Sequence, residues 1–197
     1  MARPSRAPVA PPAEEGNRRA ELIRTAGRLF REKGFDATTI RDIAAAVGMR
    51  SGSPFYHFKS KQDLLKAVMI EGLDVALVGM RAVAGRGGSP EELFRDLVHA
   101  HLRLILDPAN DFSILLYEWR SLTEESRAEV IAAKDRYEEV WRVALEPLVE
   151  QGRIGGGRLA HLFVFGALNW IVQWYHPEGG LSIDQVAGKA VDFLLRP

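Results

Sequence analysis

The amino-acid sequence predicts an all-α protein of about nine helices: a small N-terminal three-helix domain holding a helix-turn-helix, then a larger C-terminal helical domain. Three observations carry that prediction. Apolar residues recur at intervals of three and four along most of the chain, the period of a helix with one buried face. Ser or Thr stands just ahead of several of those runs, at Thr39, Ser51, Ser60, Ser89, Thr123 and Ser182. There a side-chain oxygen can accept from the unpaired first amides of a helix. Residues 38–58, TTIRDIAAAVGMRSGSPFYHF, set two such capped runs around one Gly-containing turn.

Residues 1–13, rich in Pro, Ala and Arg and without an apolar period, are expected to form a disordered tail. Arg3 and Arg6 have the alternative of reaching into a minor groove as an arm. From about Glu15 to Lys33, the positions Leu22, Ile23, Ala26, Leu29 and Phe30 mark an amphipathic helix that Gly34 ends. Thr39 caps the next helix, and Asp42, three residues on, can answer to the Thr39 amide. Ile40, Ile43, Ala44 and Val47 form its inward face. Gly48 suits the reversal, because glycine takes a positive φ without strain. Ser51 then caps a second short helix with Pro54 in its first turn. Phe55 and Phe58 point inward; Arg50, Ser51, Ser53, Tyr56 and His57 point outward. This is the pattern of a helix-turn-helix, whose second helix enters the DNA major groove. The DNA-binding domain is therefore placed at 14–60.

Residues 61–197 are expected to form the second domain. Ser60, with Asp63 at the third position, opens a long helix to about Val83 that begins in the head and ends in the body. After the loop Arg86-Gly87-Gly88, Ser89 with Glu91 and Glu92 starts a helix that Asp107-Pro108 ends near Leu106. Phe112 to Leu122 reads as a short apolar helix. Thr123 caps a long one, about Glu124 to Gly152, with a kink expected at Pro147. Gly155-Gly156-Gly157 is a flexible connector; without a following Lys-Ser/Thr it is no phosphate-binding loop. The last two helices are apolar on more than one face. Phe163, Phe165, Leu168, Ile171, Val172, Val186, Val191, Phe193 and Leu194 are candidates for a four-helix dimer seam.

The net charge of zero hides an asymmetry. Residues 1–66 hold 13 Lys and Arg against 7 Asp and Glu, while the remainder holds 13 against 19. A basic third on an acidic body fits a nucleic-acid-binding head. The absence of Cys excludes disulfides and zinc–thiolate sites and agrees with a cytoplasmic location. No apolar secretory core follows the N-terminal arginines. The most apolar run, Leu159 to Tyr175, is broken by His161, Asn169 and Gln173 and is short of the roughly 20 residues a membrane span needs. No membrane partner is expected. The histidines His57, His99, His101, His161 and His176 are scattered, and neither His-Glu-x-x-His nor Gly-x-Ser-x-Gly occurs. No catalytic residue, metal or cofactor is expected.

The run RDIAAAVGMRSGSPFYHFKSKQDLL, with AGRLFREKGFDATTI before it, resembles the DNA-binding signature of the TetR family of transcriptional regulators over about Arg18 to Leu65. Phe30, Gly34-Phe35, Thr38-Thr39, Ile43-Ala44, Val47-Gly48 and Tyr56 to Lys61 coincide with it at fixed spacing. Arg50 and Pro54 depart from it, standing where many relatives carry Ser or Thr and Leu. The segment GALNWIVQWYHPEGGLSIDQVAGKAVDFLL resembles the C-terminal end of one branch of that family. Regulators of that branch often control fatty-acid or steroid degradation and respond to acyl-CoA thioesters. The resemblance implies a ligand-responsive repressor, homodimeric through its last two helices, on a near-palindromic double-stranded operator, with an acyl-CoA or similar amphiphile as effector. Two other readings stand beside it: a regulator of drug efflux answering to a hydrophobic drug-like compound, and a non-regulatory architectural DNA-binding protein.

On the regulator reading, Thr38, Thr39, Tyr56, His57, Lys59 and Lys61 fix the head on phosphates, the lysines beside a helix N-terminus. Arg41, Arg50 and Ser53 are candidates for base contact, since Arg can pair bidentately with guanine, and Ser51 lies on the same surface. In the body, Phe112, Tyr117, Trp119, Trp141, Trp170 and Trp174 are candidates to line an apolar cavity, with Arg120 and Arg136 as its cationic mouth. Each aromatic has core packing as its alternative, and each arginine a surface pairing with Glu118, Glu124, Glu138 or Glu139.

Overall fold

Helix ends set by short-range chemistry divide this chain. The computed structural model describes residues 12–49, 56–107 and 111–195, with eight α-helices and no strand among them. Two compact units result, residues 1–68 and 69–197.

In the first unit, α1 (Pro12–Lys33) begins inside the expected tail. It ends where Gly34, at φ 80°, donates its N–H to Phe30 O at 2.9 Å. α2 (Ile40–Ala46) starts on the expected capping box. The Asp42 N–H donates to Thr39 Oγ1 at 3.1 Å, and the Thr39 N–H donates to Asp42 Oδ2 at 2.8 Å. Gly48 turns the chain at φ 66°. α1 packs on α2, and Leu22, Ile23, Ala26, Phe30, Ile43, Ala44 and Phe58 are buried. The Phe30 and Phe35 rings meet at 5.4 Å. Most of the expected second helix of the helix-turn-helix, from Ser51 towards Phe58, lies outside the described residues, as do Arg50, Ser51, Ser53, Pro54, Phe55, Arg3 and Arg6. α3 (Lys61–Ala84) starts where the Asp63 N–H donates to Ser60 Oγ at 3.1 Å.

In the second unit, α4 (Pro90–Leu106) packs against α6 (Glu124–Glu150), α7 (Ala160–Trp170) and α8 (Ile183–Leu194). Ser89 and Ser182 each form a full capping box, with Glu92 and Gln185. Phe94 meets Trp141 edge-on at 6.3 Å in the core. At the surface, Asp184 of α8 accepts from Arg103 at 2.7 Å and sits 3.3 Å from His99 Nδ1, which holds its carboxyl below the usual range. α6 runs through Pro147 as one helix.

Two expectations are corrected. Phe112 to Leu122 is not one helix but a 3-10 turn (Asp111–Ser113), the single-turn α5 (Ile114–Tyr117) and a second 3-10 turn (Trp119–Ser121). Ser113 is itself helical and makes no side-chain cap, and the short turns are anchored by burial of Phe112, Ile114 and Leu115. The expected dimer seam also splits. Phe165, Leu168, Ile171, Val186 and Val191 are buried within the monomer. Phe163 and Phe193 are exposed, together with Leu162, Trp170 and Trp174. One face of each helix serves the body; only the opposite face is free.

Candidate functional site

Among the described residues of the head, two of the groups expected to meet DNA are turned inward. Arg41 and Lys59 are exposed, Tyr56 is 92% exposed, and His57 is half-buried. Thr39 is exposed, with its hydroxyl donating to Asp42 Oδ2 at 2.7 Å. That bond and the one from the Thr39 amide hold the Asp42 carboxyl below the usual range. Thr38, by contrast, is fully buried. Its Oγ1 lies 2.8 Å from Gly34 O and 3.2 Å from Leu29 O, so its hydroxyl closes the turn after α1 instead of meeting a phosphate.

Lys61 is the second correction. Its ammonium donates to Phe35 O at 2.8 Å, Thr38 O at 2.9 Å and Asp36 O at 3.5 Å, and stands 4.1 Å from the centre of the Phe35 ring. An ammonium has three N–H donors. All three go to the loop between α1 and α2, which leaves none for DNA. Nothing local betrays this, because the partners lie 23 to 26 residues away. Arg18 is likewise paired with Glu21 at 3.3 Å, and Arg19 lies 5.2 Å over the Phe58 ring.

In the second unit, a cavity of about 290 Å³ is lined by His101, Phe112, Leu115, Leu116, Trp119, Lys134, Tyr137, Glu138, Phe165 and Asn169. α4, α6 and α7 and the 3-10 and α5 turns all contribute. Of the residues expected to line a pocket, Phe112 and Trp119 do so. Trp141 is fully buried behind the cavity wall, with its ring 5.6 Å from His101 and 5.0 Å from Phe165. Tyr117 is exposed and donates its hydroxyl to Val172 O at 3.4 Å. Trp170 and Trp174 are also exposed, on the outer side of the body. The expected cationic mouth does not form. Arg120 is exposed and outside the lining, and Arg136 pairs with Asp74 at 3.3 Å. Instead Lys134 and Glu138, one turn apart on α6, pair at 2.7 Å and line the cavity together.

Residue spacing missed the polar end of this cavity. His101 is buried, with Nδ1 2.7 Å from the Tyr137 hydroxyl and Nε2 3.0 Å from Asn169 Oδ1. Burial pushes the imidazole down to about 4 and pushes the Tyr137 phenol upward, so both are uncharged near neutral pH. The signal was present. His101 stands four residues after Leu97 on an otherwise apolar face, and Asn169 interrupts the most apolar run of the chain. A broader groove of about 740 Å³ runs along α6 and α7, and its Arg142 is taken up by Glu139 at 2.6 Å and Glu146 at 2.9 Å. Among the described residues no cluster of three or more His, Asp or Glu is placed to hold a metal, and no helix is long and apolar enough to cross a membrane.

A small capped helical unit whose sequence carries a helix-turn-helix pattern, together with a second helical unit holding its own cavity, has the make-up of a DNA-binding transcriptional regulator. The chain belongs to the TetR family. Residues 22–68 match bacterial regulatory proteins of the tetR family, and residues 87–197 match the tetracyclin repressor-like C-terminal domain. The chain is 30% identical over 193 residues to the HTH-type transcriptional repressor KstR2 of Rhodococcus jostii, covering 94% of this chain and 95% of that one. Among solved structures, the superantigen PfiT is 38% identical at a TM-score of 0.78, covering 90% of this chain and 96% of that one. AibR in complex with isovaleryl coenzyme A and operator DNA is 28% identical at a TM-score of 0.79, covering 91% of this chain and 99% of that one.

Proposed function

We propose that this protein is a homodimeric repressor that leaves a near-palindromic operator when a small acyl thioester, or an effector of similar apolar character, occupies the cavity of the second unit. It acts in the cytoplasm and by binding alone, with no chemical step. The observation that carries this reading is the cavity itself, apolar on most sides with one ordered polar end, in the make-up of a small-molecule site. The similarity to AibR, solved with both an acyl-CoA and operator DNA, supports the effector class.

The head spans residues 14–60. In it Arg41, Arg50 and Ser53 contact bases, while Ser51, Thr39, Tyr56, His57 and Lys59 engage the backbone of the duplex. Two heads joined through the exposed faces of α7 and α8 read half-sites about one helical turn or somewhat more apart. Phe193 at 84% and Trp170 at 66% exposure are apolar surface that a monomer leaves in water. An effector that binds better to the released form lowers operator affinity by its difference in affinity between the two forms.

The test is a thermal-shift panel of acyl-CoAs, free fatty acids and drug-like amphiphiles on the full chain, followed by operator release with each hit. A stabilising acyl-CoA that frees DNA is expected. Release by a drug-like compound alone moves the effector class to efflux substrates, and a diffuse footprint that no compound disturbs overturns the regulator mechanism. Arg50→Ala is expected to relax base preference at one position by about 1–3 kcal/mol.

A further inference from the structure

The cavity holds a chain of three polar side chains whose hydrogens are fixed by elimination. Tyr137 O–H has one acceptor among the described residues, His101 Nδ1 at 2.7 Å. The nearby Trp141 indole N–H is a donor only and cannot take the proton. A neutral imidazole offers one acceptor and one donor. With Nδ1 accepting from Tyr137, Nε2 carries the hydrogen and donates to Asn169 Oδ1 at 3.0 Å. The Asn169 amide is thereby oriented. Its oxygen is used, and its nitrogen, with two N–H donors, has no acceptor among the described residues. Asn169 is half-buried and part of the cavity lining, where such a donor can serve an occupant.

Charge narrows the class further. Lys134 and Glu138 face the same space as a pair at 2.7 Å, so the lining carries no net charge to offset an entering ion. A carboxylate would be desolvated there without a free cation to receive it. At about 290 Å³ the space lies just below the range of drug-sized ligand sites, roughly 300 to 1,000 Å³. It suits a compact apolar group bearing one acceptor, with any larger carrier left outside.

We infer that the cavity selects a neutral carbonyl, such as a thioester or ketone carrying a short apolar group, that Asn169 Nδ2 is the group that reads it, and that His101 and Tyr137 are positioning residues that aim the amide. This rests on the effector-cavity reading above and deepens it.

The experiment uses the full-length protein and four probes in calorimetric titration: isovaleryl-CoA, its thioether analogue S-(3-methylbutyl)-CoA, isovalerate, and 4-methyl-2-pentanone. Isovaleryl-CoA is expected to bind about tenfold or more tighter than the thioether, the difference being one hydrogen bond to the carbonyl, and isovalerate is expected not to bind. Asn169→Leu should bring the ratio of thioester to thioether affinity down to about one. Tyr137→Phe should reduce the thioester preference without touching thioether affinity, an outcome that general loosening of the core would not produce. The comparison of the two CoA compounds on the unmodified protein stands even where a variant fails to fold. Equal affinity for thioester and thioether, or tight binding of isovalerate, overturns the carbonyl inference and leaves the effector cavity standing. Binding of the ketone but of neither CoA compound upholds carbonyl selection and overturns the thioester assignment. Silence of all four probes overturns both.

Discussion

The two units of this chain use buried polar groups to opposite ends. In the first unit, Thr38 and Lys61 turn every donor they own onto backbone carbonyls, and the result is closed: nothing is left for a partner. In the second unit, His101, Tyr137 and Asn169 form a hydrogen-bonded chain in the lining of a cavity, and the Asn169 amide nitrogen at its end has no acceptor among the described residues. The lesson is that a buried polar side chain becomes a binding group only when its own accounts do not balance. A saturated one is scaffold, however suggestive its residue type.

Substitutions that test this contrast are taken from the largest expected effect to the smallest. Trp141→Ala removes a fully buried ring that packs on Phe94, His101 and Phe165. It should cost about 3–5 kcal/mol in urea unfolding and, by loosening the cavity wall, abolish effector binding. A protein that keeps both would show that the aromatic cluster is not what shapes the cavity.

Acid should act almost as strongly, through His101. Its folded-state value of about 4 lies below the ordinary histidine value near 6.5. Between those two pH values the unfolded chain holds the extra proton and the folded chain does not. Stability is therefore complete above pH 6.5 and declines by about 3 kcal/mol as pH falls to 4. His101→Gln should flatten that slope relative to the parent when stability is followed by denaturant titration across the range.

Lys61→Met comes next. Losing three charge-assisted bonds should cost about 1.5–3 kcal/mol in stability and leave the salt dependence of operator binding unchanged. Lys59→Ala should do the reverse, sparing stability and reducing the salt slope by about one. If Lys61→Met instead lowers the slope with no loss of stability, the closed account drawn for the head is wrong. Thr39→Ala is the smallest effect, about 1 kcal/mol from loss of the α2 cap, read by thermal unfolding.

The same contrast explains what the sequence made legible. Caps and terminators act over three or four residues, so Thr39, Ser60, Ser89, Thr123, Ser182, Gly34 and Gly48 could all be placed from spacing alone, and most helix ends with them. The reading helix is expected from Ser51 as its cap, Pro54 in its first turn and Phe55 and Phe58 pointing inward, and most of it lies outside the described residues. What spacing could not give was the partner of a long side chain. Lys61 reaches a loop 23 to 26 residues back, and Arg136 reaches Asp74 across 62. Of the six aromatic residues expected to line a pocket, Phe112 and Trp119 do so, because which face of its element each occupies follows from how α4, α6 and α7 meet. Trp141 therefore went inside, Trp119 to the cavity, and Trp170 outside. His101 and Asn169 were visible as polar breaks in apolar faces, and a break of that kind is the signal to weigh more heavily.

That sorting of indoles has an optical consequence. The chain has four tryptophans, and they occupy three different surroundings. Trp141 is sealed from water and emits at short wavelength, Trp119 borders the cavity, and Trp170 and Trp174, at 66% and 50% exposure, emit as indoles in water do. On the proposed assembly through α7 and α8, association is expected to shield the outer pair and move their emission to the blue, reversed by dilution, whereas a ligand in the cavity is expected to change the yield of Trp119 at a fixed chain concentration. Unlabelled protein in a cuvette thus reports assembly and effector loading as separate colours of the same light.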